Sequence, residues 1–309
     1  MTVEKDFICM DTIVMIRVVS GKPKQEQVQS ILRAAGQFYR VEQSCSRFDS
    51  GSELMRLPDK TDVPIRVSPV LFSAIQFAVS AAAETGGKFD PSIGRSLEKR
   101  GFNRNYLTGE RIHSDEVHPA QATYRDIVVN PVNRTITLRK PMVIDLGAVA
   151  KGMAIDLAAA ELRNEGYEHF LVNAGGDIFA AGRNEQKEPW KIGIRHPVHH
   201  DEIAGTVRLE NAAICTSGGY ERPSSVLPGE HHLLDPLSGH SPSQLSSCSV
   251  IAPFAMLADA FSTAAIVLGP DEGIKKMEEM GLDCLMITRD MNVTSTKKFK
   301  EAGSWNPVL

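Results

Sequence analysis

Phe170-Leu171-Val172-Asn173, Trp190-Lys191-Ile192-Gly193-Ile194-Arg195, Gly205-Thr206-Val207-Arg208-Leu209 and Ala212-Ala213-Ile214-Cys215-Thr216 follow one another with no helical period between them. Each is short and rich in β-branched or aliphatic residues, the pattern of a strand. The same pattern occurs earlier as a hairpin, with Asp126 to Asn130 and Thr135 to Leu138 flanking a Pro131-Val132-Asn133 turn. Strands that come in hairpin-like runs, with helices that do not alternate strictly with them, predict an α+β fold over a doubly wound parallel sheet.

Helical spacing flanks this region. Residues 25–44 carry Val28, Ile31, Leu32, Ala35 and Phe38 on one face. Ser68 and Pro69 open a second helix as N-cap and first-turn proline, and it stops at Gly86-Gly87. Residues 148–165 form an Ala-rich helix, and residues 256–268 and 271–280 two more. Residues 7–19 read as one strand, ended by Ser20-Gly21-Lys22-Pro23, and residues 284–288 as a closing strand. The polar stretch 101–119 reads as loop. No repeat and no linker-like tract divides the chain, so residues 1–309 are expected to form one domain.

Composition narrows the function classes. With 309 residues, 42% hydrophobic and 23% charged, the chain can bury a sizeable core. A net charge of -4 and no long Lys/Arg run argue against nucleic acid or an anionic membrane as partner. No apolar stretch reaches the roughly 18 residues of a membrane span, and the most apolar window, 254–268, contains Asp259. The first ten residues include Glu4, Lys5 and Asp6 and lack an export signal, so a cytoplasmic protein is expected. The five cysteines, an odd number without a CxxC pair, predict small buried side chains rather than zinc ligands or a disulfide framework.

Four loops combine Gly, Asp and Ser/Thr beyond what a core requires. They are Gly86-Gly87-Lys88-Phe89-Asp90-Pro91-Ser92-Ile93-Gly94, Asp145-Leu146-Gly147-Ala148-Val149-Ala150-Lys151-Gly152, Asn173-Ala174-Gly175-Gly176-Asp177 and Thr216-Ser217-Gly218-Gly219-Tyr220. Glycines let backbone N–H groups approach a phosphate closely, and a helix N-terminus favours negative charge. Neither GxGxxG nor GxxxxGK[ST] occurs, so nucleotide binding does not follow from those signatures. Asp259 and Thr263 lie four apart on one face of an apolar helix. A carboxylate there needs a partner. A hard cation such as Mg²⁺, which takes oxygen ligands and substrate phosphates, is one candidate, and a neighbouring loop is the other. His196, His199 and His200 sit with Pro197 and Asp201 in a segment that reads as solvated loop. Of the adjacent His231 and His232, at most one is expected to enter a site, because neighbouring strand residues face opposite ways.

As a set, these residues resemble the ApbE family, the FAD:protein FMN transferases. Met10-Asp11-Thr12 resembles the family's MGT opening, with Asp11 in place of Gly, and Ser46 to Leu54 resembles TFDpnSEL. Gly87 to Ser92 resembles GaFDPT, and Asp145 to Gly152 with Asp156 resembles DLGgiAKGyavD. Asn173 to Asp177 resembles nlGGd, and Thr216 to Tyr220 resembles TSGdY with Gly219 in place of the acidic residue. His232 to Gly239 resembles HIiDPrtG, and Ala258 to Ala264 resembles ADalaTa. Eight such segments in one order form a specific signature.

The resemblance implies an α+β fold with a T-fold-like core. It implies a flavin cleft formed by Met10, Lys88, Phe89, Asp90, Lys151, Thr216 and Ser217, with Asp156 toward the adenosine half of FAD. It implies Mg²⁺ at Asp259, Thr263 and the Ala148 carbonyl. The implied reaction is attack by a Ser or Thr hydroxyl of an acceptor flavoprotein, in an Asp-x-x-x-Ser/Thr type motif, on the FMN-side phosphorus, with AMP leaving. Such acceptors include subunits of respiratory sodium pumps and reductases. His232, Asp235 or Asp177 would take the hydroxyl proton, and the sequence does not choose among them. Attack by water would make the protein an FAD pyrophosphatase. A protein that only binds FAD would need no metal.

Overall fold

The computed structural model describes residues 1–58, 60–104, 109–112 and 122–305. Most of the loop expected over 101–119 lies outside them. The chain begins with β1 (Thr2–Cys9), β2 (Thr12–Val19), α1 (Lys24–Cys45), β3 (Ile65–Arg66), α2 (Pro69–Glu84) and α3 (Gly94–Lys99). It continues through β4 (Ile127–Asn130), β5 (Thr135–Leu138), α4 (Gly147–Asn164), β6 (Phe170–Ala174), β7 (Asp177–Ala181), β8 (Trp190–Arg195) and β9 (Ile203–Leu209). It closes with β10 (Ala212–Gly218), β11 (Leu245–Ala252), α5 (Ala255–Glu279), β12 (Asp283–Thr288), β13 (Val293–Ser295), α6 (Lys297–Ala302) and β14 (Gly303–Trp305).

The fold is α+β. Eight strands form one sheet in the order β1-β2-β6-β7-β10-β11-β12-β13, with neighbours antiparallel throughout. Both faces of this sheet are covered. Alternate residues such as Ile16, Val172, Cys215, Val250, Cys284 and Met286 pack under α1, α2, α4 and α5. Their neighbours Leu171, Ile178, Ile214, Leu285 and Ile287 pack against Trp190, Ile192, Val207 and Phe299 of a small sheet ordered β14-β9-β8 and of α6. The period of two thus sorts one strand into two cores. All five cysteines are free and buried, as their apolar neighbours predicted. Among the described residues no helix is long and apolar enough to cross a membrane.

The strand expected over 7–19 is instead a hairpin. It turns at Met10 (φ 54°) and Asp11 (φ 57°), a left-handed pair that matches the twist of the flanking strands. Asp tolerates this region better than most side chains, which hid the turn. A second tight turn, Gly175 (φ 63°) and Gly176 (φ 100°), joins β6 to β7, and a Cβ on Gly175 would meet the Thr12 hydroxyl at 2.4 Å. The two turns therefore pack side by side.

The predicted helix signals hold. Ser68 Oγ accepts from the Leu71 N–H at 3.2 Å, and the chain leaves α2 through Gly86 and Gly87, both left-handed. The helical stretches 256–268 and 271–280 are halves of α5, bent at Gly269-Pro270.

Candidate active site

A cleft of about 490 Å³ opens where the two hairpin turns, the start of α4, the end of β10 and the first turns of α5 meet. Met10, Lys88, Phe89, Asp90, Ala148, Lys151, Thr216, Ser217, His232, Asp259 and Thr263 all line it. With Asp177, also a lining residue, twelve of the fourteen residues singled out from sequence thus come together. Asp156 and Asp235 are not among the lining residues.

The deep end is held by contact between helices. On α4, a Cβ at Gly152 would meet Met256 Cα at 2.5 Å and Ala255 O at 2.6 Å, so glycine lets α5 lie directly on α4. This contact brings Asp259, buried at 5% exposure, to the first turns of α4. Gly152, whose acceptor in a regular helix is the Ala148 carbonyl, donates its N–H to Asp259 Oδ2 at 3.2 Å. Ala148 itself departs from helical geometry (φ -93°, ψ 18°). Lys151 reaches from the next turn, its ammonium in contact with the Asp177 carboxylate and 3.6 Å from Asp259 Oδ2. Asp177 Oδ1 accepts from the Thr216 N–H at 3.0 Å. Hydroxyls complete this end. Ser217 Oγ lies 2.8 Å from Ser262 Oγ and 3.0 Å from Thr263 Oγ1, and Ser262 donates to the Asp259 carbonyl at 2.9 Å. Thr216 pairs with Ser249 at 2.7 Å.

Asp259, Thr263 and the Ala148 carbonyl are all hard oxygen donors, the chemistry Mg²⁺ takes. Among the described residues no group of three or more His, Cys, Asp or Glu side chains is arranged to hold a metal. A cation here would rest on one carboxylate and draw other ligands from water and substrate.

The outer end is built on Arg47, Phe102 and His232. Arg47, 4% exposed, ion-pairs with Asp145 through Nε and donates from Nη2 to the Phe102 carbonyl at 2.7 Å. Its Nη1 is enclosed without a hydrogen-bond partner among the described residues. Asp145 also accepts the Gly147 N–H at 2.8 Å, so it ties Arg47 to the start of α4. The Phe102 ring meets the His232 ring edge-on at 6.4 Å. His232 Nδ1 is enclosed and has no partner among the described residues. Burial, reinforced by Arg222 and His231, pushes the His232 pKa down to about 3, so the imidazole is neutral near pH 7.

Other expectations sort plainly. His231 is buried, with Nε2 at 3.0 Å from the Pro242 carbonyl, so of the His pair only His232 lines the cleft. His196 is buried rather than solvated, its Nδ1 accepting from Val198 and His199, whereas His199 and His200 are exposed. Asp156 lies outside the lining, and both its carboxylate oxygens accept backbone N–H groups, of Ala255 at 2.7 Å and Met256 at 2.9 Å, capping α5. Asp235 pairs with Lys88 at 3.4 Å and accepts the Leu237 N–H at 3.0 Å, behind the lining. Asp90 lines the cleft, but its oxygens accept from Ser92 at 2.8 Å and Tyr124 at 3.0 Å, and burial raises its pKa. Arg47, Phe102, Arg195 and Arg222 line the cleft without having been singled out from sequence. Arg47 lay inside the quoted 46–54 segment, and its burial was the missing signal.

The comparisons with known proteins agree. The model of the ApbE family matches residues 10–286. The FAD:protein FMN transferase of Haemophilus influenzae is 29% identical over 291 residues, covering 90% of this chain and 82% of that protein. The one from Escherichia coli K12 is 28% identical over 276 residues, 86% of this chain and 77% of that protein. The crystal structure of the ApbE protein of Thermotoga maritima superposes with a TM-score of 0.86 at 28% identity, covering 98% of this chain and 99% of that one. The cleft motifs and the match from residue 10 to residue 286 converge: the chain belongs to the ApbE family.

Proposed function

We propose that this protein is a magnesium-dependent FAD:protein FMN transferase that joins the FMN half of FAD to a Ser or Thr hydroxyl of an acceptor flavoprotein and releases AMP. The observation that supports it is one cleft in which the oxygen donors Asp259, Thr263 and the Ala148 carbonyl face the same space as a neutral imidazole, His232. A binding protein for FAD has no need of both.

In this reading Asp259, Thr263 and the Ala148 carbonyl hold Mg²⁺. When bound, Mg²⁺ supplies charge neutralisation on the diphosphate oxygens and on the departing AMP. Lys151 adds positive charge at the same end. The hairpin turn at Met10 and the segment Lys88-Phe89 hold the flavin half. Glu42 stiffens that turn by accepting the Met10 N–H at 2.7 Å. Ser217 orients the Thr263 hydroxyl.

His232 accepts the proton of the attacking hydroxyl. Asp177 is engaged by Lys151 and Thr216, and Asp235 by Lys88 and Leu237, which leaves His232, whose neutral ring lines the cleft, as the base. A low pKa keeps it neutral before substrate binds, and the incoming diphosphate charge raises its basicity. The new bond is acceptor oxygen to FMN phosphorus, and the bond to the AMP oxygen breaks.

Incubation with FAD and Mg²⁺, with and without an acceptor bearing the Asp-x-x-x-Ser/Thr motif, tests the reading. Flavin fluorescence that stays with the acceptor in a denaturing gel is the expected result. Rapid release of free FMN and AMP without acceptor would replace transfer by hydrolysis.

A further inference from the structure

Lys151 stands between two carboxylates. Its ammonium touches Asp177 and lies 3.6 Å from Asp259 Oδ2. Its backbone position is fixed, because it precedes Gly152, where α5 lies directly on α4, while its side chain keeps 24% exposure. Asp177 is anchored in turn by the Thr216 N–H. Asp259 therefore already has a cation beside it. Placing a divalent ion on the same carboxylate sets two positive charges a few ångströms apart in a partly buried site, where Coulomb repulsion is weakly screened.

We propose that Lys151 is the resident counter-cation of the Asp177–Asp259 pair and makes divalent-cation binding depend on the diphosphate of the substrate. The inference rests on the Mg²⁺ and FAD reading above. Without FAD, the ammonium neutralises Asp259 and repels the metal. The arriving diphosphate brings negative charge that draws the ammonium toward its oxygens and leaves Asp259 to the divalent ion. Linkage makes the effect mutual, so the metal tightens FAD by the factor by which FAD tightens the metal. Lys151 acts here as a positioning residue for the cation.

Mn²⁺, followed by loss of its free-ion electron paramagnetic resonance signal, is the probe. It is titrated into the full-length protein, wild type and the Lys151→Met, Lys151→Gln and Lys151→Arg variants, with and without FAD, each variant checked by circular dichroism. Solutions of FAD and Mn²⁺ alone correct for binding off the protein. The wild type is expected to bind Mn²⁺ weakly alone and about 5–150-fold tighter with FAD, the usual span of coupling between two sites. Both neutral variants should bind Mn²⁺ at least about tenfold tighter than wild type without FAD and lose most of the coupling, while Lys151→Arg, which keeps the charge, stays near wild type. Unchanged or weaker Mn²⁺ binding by the folded neutral variants overturns the inference. Wild-type protein that binds FAD, yet never Mn²⁺, overturns the metal reading itself and this inference with it.

Discussion

At the deep end of the cleft each polar side chain already has a partner within the chain. Asp259 has the Gly152 N–H, Asp177 has Lys151 and Thr216, and Thr263 has Ser217. At the outer end, Arg47 Nη1 and His232 Nδ1 have none among the described residues. An enclosed polar atom without a partner costs about 1–3 kcal/mol. A fold tolerates that where a ligand supplies the missing bond. The difference teaches a division of labour: one end is prebuilt to hold charge in place, and the other is left open to receive substrate and move a proton. Phe102 ties the two together, since its carbonyl holds Arg47 and its ring meets His232 edge-on.

The sharpest way to break this comparison is at the prebuilt end. Asp259→Asn keeps the shape but removes the only carboxylate of the proposed cation set, so transfer should fall by roughly 4 kcal/mol, about 10³-fold. Steady-state flavinylation rates with saturating Mg²⁺ check it, with circular dichroism confirming the fold. At the open end His232→Ala should lower kcat by about 10²-fold with FAD affinity little changed, as expected for loss of a proton acceptor. A kcat loss matched by an equal loss of FAD binding would recast His232 as a binding residue.

The same histidine predicts a pH dependence of stability. Its folded pKa, about 3, is below the ordinary 6.5, so the unfolded chain binds the proton first as pH falls. Stability contributed by neutral His232 is therefore present above pH 6.5 and is lost as pH falls from 6.5 toward 3. Thermal melts of His232→Phe should lose less Tm over that window than wild type.

Two smaller effects separate framework from site. Asp156→Ala should cost about 1–3 kcal/mol of stability through the lost cap of α5, measured by chemical denaturation, while FAD affinity holds. A selective loss of FAD affinity would return Asp156 to the ligand. Asp11→Gly should raise stability by roughly 0.5–1 kcal/mol, because residue 11 sits at φ 57° where glycine is at ease.

The sequence made the site more legible than the sheet. Ser68-Pro69 and Gly86-Gly87 bounded α2 as written, because caps and left-handed glycines are local chemistry. The strands β7 and β11 were missed for different physical reasons. In β7, Ile178 to Ala181 divide between two cores, so all four are apolar and show no polar alternation. In β11, Ser247 and Ser249 are buried polar residues, Ser249 pairing with Thr216 on the neighbouring strand, so the run looks too polar for a strand. The cap that Asp156 puts on α5 was not legible either, because its motif position says nothing of where its oxygens go. The sequence allowed at most one of His231 and His232 into a site without saying which, and the pair lies in no named strand; the enclosed His232 Nδ1 and the enclosed Arg47 are products of tertiary packing that no local pattern carries.

The most direct test is intact-mass spectrometry of an acceptor protein after incubation with FAD, Mg²⁺ and this protein, with AMP quantified in the same reaction. The account predicts an FMN adduct on one Ser or Thr, one AMP per adduct, and no adduct with Asp259→Asn. An unmodified acceptor that carries the motif, with FAD bound but intact or converted to free FMN and AMP, would contradict it.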